Sequence, residues 1–577
     1  MSSRLFAVFL ALLLSACAAA PDNRSLQDGD FEAISKEYLE EFLEMNPEWA
    51  TLLGDHRFDD RLGDYSRAGI EASLEMEKRY LARLDGVDPV RLSAVNATDY
   101  AILRNRIEES IFGVEELREF EWNPLLYNVG GSIYGLLARD FAPEEERLRH
   151  LAARLQALPA VFAAARENLV NPPRVHTETA ILQNPGSISL IRDELEGILA
   201  PYPDLRAEIQ PARDAAIAAL EDYGEWLETD LLPRSNGEFR LGEEKFRRKL
   251  AFTLHSDLSM EEILARAEAR LAETHDALYE TALPLFRSAH PNASDDQLAE
   301  RMSVIRDTLD RLAEDRPTDA TIVDDARETL TETTRFVGDN LLMSLPAEPV
   351  EIIVMPEFRR GVSTAYCDSP GPLEENGKTF YAIAPTPQDW SAERTESLYR
   401  EYNDYMLRDL TVHEAMPGHY LQLAHSNKFI APTLTRHIFY SGPFVEGWAV
   451  YAEQLMAEHG YGGPQVKMQQ LKMYARAVIN AILDQKIHAG SMTEQEAMDL
   501  MMTEGFQEDG EAAGKWRRAR LTSTQLSSYF VGNEEVWEIR KGWEKQNGAI
   551  TDWKTFHDAV LSHGSPPAKF IRAELGL

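Results

Sequence analysis

Two cysteines in 577 residues are too few for a disulfide framework. One of them, Cys17, closes an N-terminal leader, so only Cys367 stays in the body as a thiol and an internal disulfide is excluded. A nucleophilic role for Cys367 would need a His partner that the sequence does not place, and it is read as a half-buried structural residue. Basic residues are also scarce. There are 59 Lys+Arg against 96 Asp+Glu, a formal net charge of −37. Nucleic-acid binders release counterions through clustered Lys and Arg, so this acidity argues against nucleic acid and anionic membrane surfaces as partners. Beyond the leader no apolar stretch approaches the roughly 20 residues a membrane-spanning helix needs. What is present is 44% hydrophobic, 27% charged and 9% aromatic, the balance of a folded protein with a sizeable core.

The leader is MSSRLFAVFLALLLSAC, one positive charge at Arg4, an apolar run from Leu5 to Leu14, then small residues. Residues 1–16 are read as a secretory signal peptide. Leu14-Ser15-Ala16-Cys17 resembles a bacterial lipobox, which implies lipidation of Cys17 and a tether over residues 17–30. A plain signal peptide cut after Ala16 or one of Ala18 to Ala20 is the alternative. Ala18 in place of Asp after the Cys implies, by the same resemblance, a periplasm-facing outer-membrane lipoprotein that meets the membrane only through its anchor. Cleavage before Cys17 removes Arg4 and takes the net charge from −37 to −38.

From Phe31 to about Ala347 apolar residues recur at helical steps, as in Phe31, Ile34, Tyr38, Leu39, Phe42 and Leu43, and again in Ile263, Leu264, Ala267, Leu271 and His275. Asn46-Pro47, Asn171-Pro172-Pro173 and Leu232-Pro233 punctuate them. Between Pro349 and Pro387 the period changes: VEIIVM, GVSTAYC and KTFYAIAP read as three short strands of a small antiparallel sheet. Helical spacing returns at about Ala392 and runs, with breaks near residues 431 and 461, almost to the end. The expectation is a mostly α protein with one catalytic unit over residues 31–577, divided into a helical part (31–347), a sheet (348–390) and a second helical part (391–577).

The stretch DLTVHEAMPGHYLQLAH carries chemistry. In the zinc-protease motif HExxH the two His lie four residues apart on one helix face, and the Glu activates water. Here His413, Glu414 and His419 spread the His pair over six residues. On a straight helix that is about 240° of rotation, too far for one ion. Pro417-Gly418 lies between them, and such a pair breaks a helix turn. Downstream, in GPFVEGWAVYAEQLMAEHG, Glu446 and Glu453 are seven apart and share a face. One of them can complete two His and a carboxylate. Glu446 is preferred because Gly447 lets its helix approach closely, which leaves Glu453 as a partner to a ligand. Asp409, four residues before His413, is either a similar partner or part of a solvated face.

His413 to His419, followed by Tyr420-Leu421-Gln422 and by Glu446-Gly447-Trp448-Ala449 with Tyr451 and Glu453, resembles the bacterial family known as domain of unknown function eight-eight-five. NPEWATLLGDHRFDD, STAYCDSP, KTFYAIAP, YARAVINAILDQKIHAGSMTEQEA and FHDAVLSHGSPPAKFI extend the likeness over about residues 31–573. That family is similar in turn to helical gluzincin-type zinc peptidases, among them thimet oligopeptidase, carboxypeptidase Taq and angiotensin-converting enzyme. The resemblance implies a two-lobed, zincin-like helical fold with a deep cleft, the small sheet lying beside the active-site helix. It also implies that Tyr529 donates to an oxyanion, with a Tyr packed on a helix as the plain reading. The family's Pro-Gly-Gln before a Ser-Tyr pair is here Ser523-Thr524-Gln525 before Ser528-Tyr529, so Gln525 matches and the Pro and Gly do not. His488 matches a family His that lines the cleft. Arg476 matches as well, with a structural ion pair as the equal alternative.

The expected function is hydrolysis of short peptides in the cell envelope with one zinc ion, held by His413, His419 and Glu446, and Glu414 as general base. Tyr529 would stabilise the oxyanion, and a strand of the 349–387 region would pair with an extended peptide. Two alternatives use the same sequence: a zinc hydrolase of a non-peptide amide or ester, and a non-catalytic envelope lipoprotein with a degenerate site.

Overall fold

The computed structural model describes residues 23–355, 364–374, 377–387 and 390–577. The signal peptide, the lipobox and Cys17 lie outside these residues, as do residues 361–363 of the second expected strand. The described chain is mostly helical with one small three-stranded sheet, in the order helices, sheet, helices.

The first helix, Asn23–Met45, begins inside the stretch read as a tether, so residues 23–30 are helical. Its apolar face, Phe31, Tyr38, Leu39, Phe42 and Leu43, buries against Tyr80, Leu103 and Ile107. The helix extends back from this face over polar residues that carry no periodic signal of their own. Farther on, the helix Met260–Ala289 opens on a capping box of Ser259 and Glu262. Its Ile263, Ala267 and Leu271 pack into one core with Tyr474, Val478 and Ile482 of the helix Gly463–His488.

The sheet consists of β1 (Val350–Val354), β2 (Ala365–Asp368) and β3 (Thr379–Ile383), in spatial order β1-β3-β2. The expected antiparallel sheet is corrected here to a mixed one: β2 pairs antiparallel with β3, but β1 pairs parallel with it. Burial accounts for the order. Tyr381, Ala382 and Ile383 of β3 are completely buried, so the strand with apolar groups on both faces takes the centre. β2 keeps an outer edge and turns it toward the helix that carries His413 and Glu414.

Among the C-terminal helices, Gly442–Glu458 crosses Ser528–Asn547 at two glycines. A Cβ on Gly447 would lie 2.1 Å from the carbonyl carbon of Gly532, and one on Gly532 would lie 1.8 Å from the Pro443 oxygen. Only paired glycines allow this approach, and it sets the position of Glu446 beside Gly447.

Candidate metal centre

The helix Asp404–Glu414 starts at Asn403, whose side chain accepts from the N–H groups of Tyr405 and Met406, and it stops at Glu414. A second helix, His419–Ser426, begins after the turn at residues 415–418. The two histidines therefore belong to different helices, and the rotation that forbids their meeting on one helix does not apply. Gly418 makes the turn possible, because a Cβ there would sit 1.9 Å from the His413 oxygen. The Gly418 N–H donates to the Val412 oxygen at 2.9 Å, and Trp448 Nε1 donates to the Pro417 oxygen at 3.0 Å. The His413 and His419 rings end 4.7 Å apart and nearly perpendicular, at 83°.

Glu446 faces both rings. Its Oε2 lies 3.6 Å from His413 Nε2 and 3.5 Å from His419 Nε2. The three donor atoms all lie within 4.8 Å of one another, the one such cluster among the described residues. Two ligands about 2.1 Å from a tetrahedral zinc are separated by about 3.4 Å, so these spacings fit that ion. Glu446 Oε2 is also buried without a hydrogen-bond donor, which is the state of a carboxylate oxygen built for a cation. On the other side of His413, Nδ1 lies 2.6 Å from Glu453 Oε1. In the neutral ring, that contact would keep the proton on Nδ1 and leave the Nε2 lone pair toward the donor cluster. The seven-residue spacing of Glu446 and Glu453 thus brackets one imidazole from its two nitrogens.

The electrostatics follow from burial and from these contacts. Burial lowers His413, but Glu446 and Glu453 outweigh it and raise the imidazole well above its ordinary value. Burial raises Glu446, and the facing imidazoles of His413 and His419 reverse that, holding its carboxyl far below the usual range. Asp409 is 2% exposed, so the solvated-face reading is excluded. Burial and the neighbouring Glu453 push it well above a normal Asp.

Glu414 reaches the sheet. The Cys367 N–H, on the outer edge of β2, donates to Glu414 Oε2 at 3.0 Å. The Cys367 thiol itself is pushed up to about 12 by burial, which keeps it out of thiolate chemistry. Tyr529 lies close enough to Glu446 to feel its charge, and burial followed by Glu446 raises its hydroxyl. That hydroxyl accepts from Arg518 Nη2 at 3.0 Å and from Gln525 Nε2 at 3.3 Å. Both of its lone pairs are taken and its proton is left to donate. Thr524, at the place of the resembling family's Gly, adopts a left-handed φ of 69°. Its N–H donates to buried Asp484 at 2.9 Å, and Asp484 also accepts from Ser527 N and Oγ. A carboxylate thus holds in place the turn that a Pro-Gly pair would otherwise favour.

Two residues matched to the family by resemblance make structural contacts. His488 is 2% exposed and its Nε2 bonds the carbonyls of Ala519 and Thr522. It ties two helices together and does not line an opening. Arg476 pairs with Glu511, lies 3.6 Å from Glu401 and donates to Tyr402 at 3.4 Å, so its ion-pair alternative holds. Arg518 went unremarked in the sequence because KWRRAR reads as an exposed basic helix turn.

Over 128 residues, 22% of this chain, the sequence is 32% identical to dephospho-CoA kinases from two strains of Thermus thermophilus, and it spans 63% of their length. The solved structure of "a putative lipoprotein of unknown function" from Shewanella oneidensis is similar over 95% of this chain and 100% of its own, with a TM-score of 0.80 and 32% identity. A "putative lipoprotein" from Colwellia psychrerythraea shares the fold, with a TM-score of 0.77 over 96% of this chain and 98% of its own at 16% identity. Residues 47–575 match the family described as "Bacterial protein of unknown function (DUF885)", and the chain belongs to that family.

Proposed function

We propose that the protein is a zinc-dependent metallopeptidase that hydrolyses short peptides. The observation that carries this reading is the convergence of His413 Nε2, His419 Nε2 and Glu446 Oε2, with Glu414 adjacent in sequence and bonded to a sheet edge. A zinc ion would be held by those three side chains and would supply a Lewis acid that acidifies water. Glu453 keeps His413 oriented and in the required tautomer. Glu414 takes the proton of the attacking water and delivers it to the leaving nitrogen. The proton of Tyr529, whose oxygen is already anchored by Arg518 and Gln525, meets the oxyanion. An extended substrate would run along the outer edge of β2, where main-chain groups point away from β3.

Kinship with the helical gluzincin-type peptidases, a two-lobed body and a deep channel belong to the same reading. So does an envelope location: the leader ends in a lipobox-like Leu-Ser-Ala-Cys, and two structural relatives are described as lipoproteins. No described helix is long and apolar enough to cross a membrane, which suits attachment through lipidated Cys17 at the periplasmic face of the outer membrane.

The test is hydrolysis of a mixed library of short peptides by purified protein, followed by mass spectrometry, with and without chelator and with zinc restored. The reading expects zinc-dependent cleavage that Glu414→Gln abolishes. Cleavage confined to amides or esters outside peptides would move the substrate class. Zinc-independent cleavage, or none, would overturn the reading.

A further inference from the structure

The motif NPEWATLLGDHRFDD takes no part in the donor cluster, and the chain that follows β2 lies against it. The Leu373 N–H donates to the Leu53 oxygen at 2.9 Å. A Cβ on Gly371 would lie 2.3 Å from the Leu53 carbonyl carbon, and one on Gly54, at a φ of 91°, would lie 2.5 Å from the Glu374 nitrogen. Neither glycine leaves room for a side chain. Two residues beyond Gly54, His56 spans the contact: its Nδ1 lies 3.0 Å from Asp59 Oδ2, and its Nε2 lies 2.9 Å from Glu374 Oε2, 318 residues away in sequence.

An imidazole donates from both nitrogens only when it is protonated, and an ionised carboxylate can only accept. The bridge is therefore that of an imidazolium between two carboxylates. Its ring stacks on Phe141 at 3.6 Å and 7°, and a cation gains from an aromatic face. Asp59 is 1% exposed and also accepts from Thr51 Oγ1 at 2.5 Å. The other charges nearby are engaged or farther off: Arg154 donates to Thr51, Arg57 pairs with Asp55 and Glu40, His150 Nδ1 is 4.0 Å from Asp59, and Arg147 lies 5.8 Å from the Phe141 ring. Burial lowers His56, but Asp59 and Glu374 outweigh it and raise the imidazole above its ordinary value. A neutral ring would keep one N–H and turn a lone pair on the second carboxylate.

The bridged segment leads to the metal centre through β2. Arg139 pairs with Asp368, the last residue of that strand, and donates to the Ser369 oxygen at 3.0 Å. One residue earlier, the Cys367 N–H holds Glu414. We propose that protonated His56 locks residues 369–374 onto residues 53–59, and that this lock positions the strand edge that holds Glu414. The effect on Glu414 rests on the metallopeptidase reading, while the lock can be measured without it. His56 is raised in the folded chain, so its contribution is complete below about pH 6.5, the unfolded value, and is lost as pH rises through the folded value.

Hydrogen exchange of the metal-free, full-length protein reads the lock by mass spectrometry. The quantity is the protection of residues 369–374, corrected for the pH dependence of exchange itself and referenced to the helix Gly463–His488. A charge-assisted bond predicts protection about tenfold or more higher at pH 6 than at pH 9. His56→Gln and Glu374→Gln should show the lower protection at both pH values. Equal protection of the wild type at pH 6 and pH 9 overturns the lock, and that comparison decides the matter even if neither variant folds. A pH dependence that persists in folded His56→Gln overturns it too. In the zinc-loaded protein, on a peptide that the wild type cleaves, His56→Gln should lower kcat about tenfold or more at pH 6 and change KM by less than about twofold. An unchanged kcat with protection lost overturns the link to Glu414 and keeps the lock. A pH-dependent lock in a wild type that cleaves no peptide keeps the lock and overturns the peptidase.

Discussion

His413 is held from both of its nitrogens, with Glu453 2.6 Å from Nδ1 and Glu446 3.6 Å from Nε2. The two carboxylates have different roles, and substitution separates them. Glu446→Ala should abolish stoichiometric zinc binding. Glu453→Gln should keep one zinc per chain with affinity reduced about 10- to 100-fold, the usual cost of losing a partner that orients a ligand. Competition with a chelating dye measures both. Loss of zinc in the Glu453 variant alone would exchange the assignments.

Glu414 holds no ligand position, so Glu414→Gln should bind zinc as the wild type does and lose about 10²- to 10⁴-fold in kcat. Full activity with retained zinc would remove Glu414 from the mechanism.

The Tyr529 hydroxyl is oriented by two donors and keeps its own proton for a ligand. Tyr529→Phe should therefore lower kcat by about 10²-fold with a smaller effect on KM, as the loss of one oxyanion donor does. A change confined to KM would assign Tyr529 to ground-state binding.

The glycine crossing positions Glu446 and should be intolerant of a methyl group. Gly447→Ala, with its Cβ 2.1 Å from the Gly532 backbone, should destabilise the protein by about 3 kcal/mol or more, since backbone must move. Gly514→Ala, on an open helix face with nothing within 4 Å, should stabilise by about 0.5–1 kcal/mol. Urea unfolding of the two variants measures the contrast.

Acid should destabilise the fold through its buried imidazoles. His557 is fully buried, with Nδ1 on the Leu342 carbonyl at 2.7 Å and Nε2 on the Tyr451 hydroxyl at 2.9 Å, an arrangement that suits the neutral ring. Burial lowers it to about 4, and burial does the same to His176, also to about 4. The unfolded chain takes up these protons near pH 6.5 and the folded chain does not. Stability is therefore fully present above about pH 6.5 and falls toward pH 4, by about 3 kcal/mol for each group. In unfolding experiments between pH 7 and pH 5, His557→Gln should show a shallower pH dependence than the wild type. An identical slope would mean that His557 is protonated in the folded state.

The sequence shows the donor set because its chemistry is local. The His413, Glu414, His419 group carries its own helix breaker, and Gly447 marks the helix that brings Glu446. The strand order was not legible, because it depends on which strand ends up buried on both faces, a tertiary outcome that the alternation of short runs does not encode. The start of the first helix was hidden for a related reason, since its first turns are polar. His488 was read toward the cleft by resemblance, which aligns residues but does not show which way a side chain on a buried helix points, while Arg476 fits its ion-pair alternative.

The most direct measurement is the metal content of the purified protein, prepared without chelators and equilibrated with zinc, by mass spectrometry of the native protein. One zinc per chain is predicted for the wild type and none for His413→Ala, His419→Ala or Glu446→Ala. A wild type without zinc, or a Glu446→Ala variant that holds it as firmly as the wild type, would contradict the metal centre.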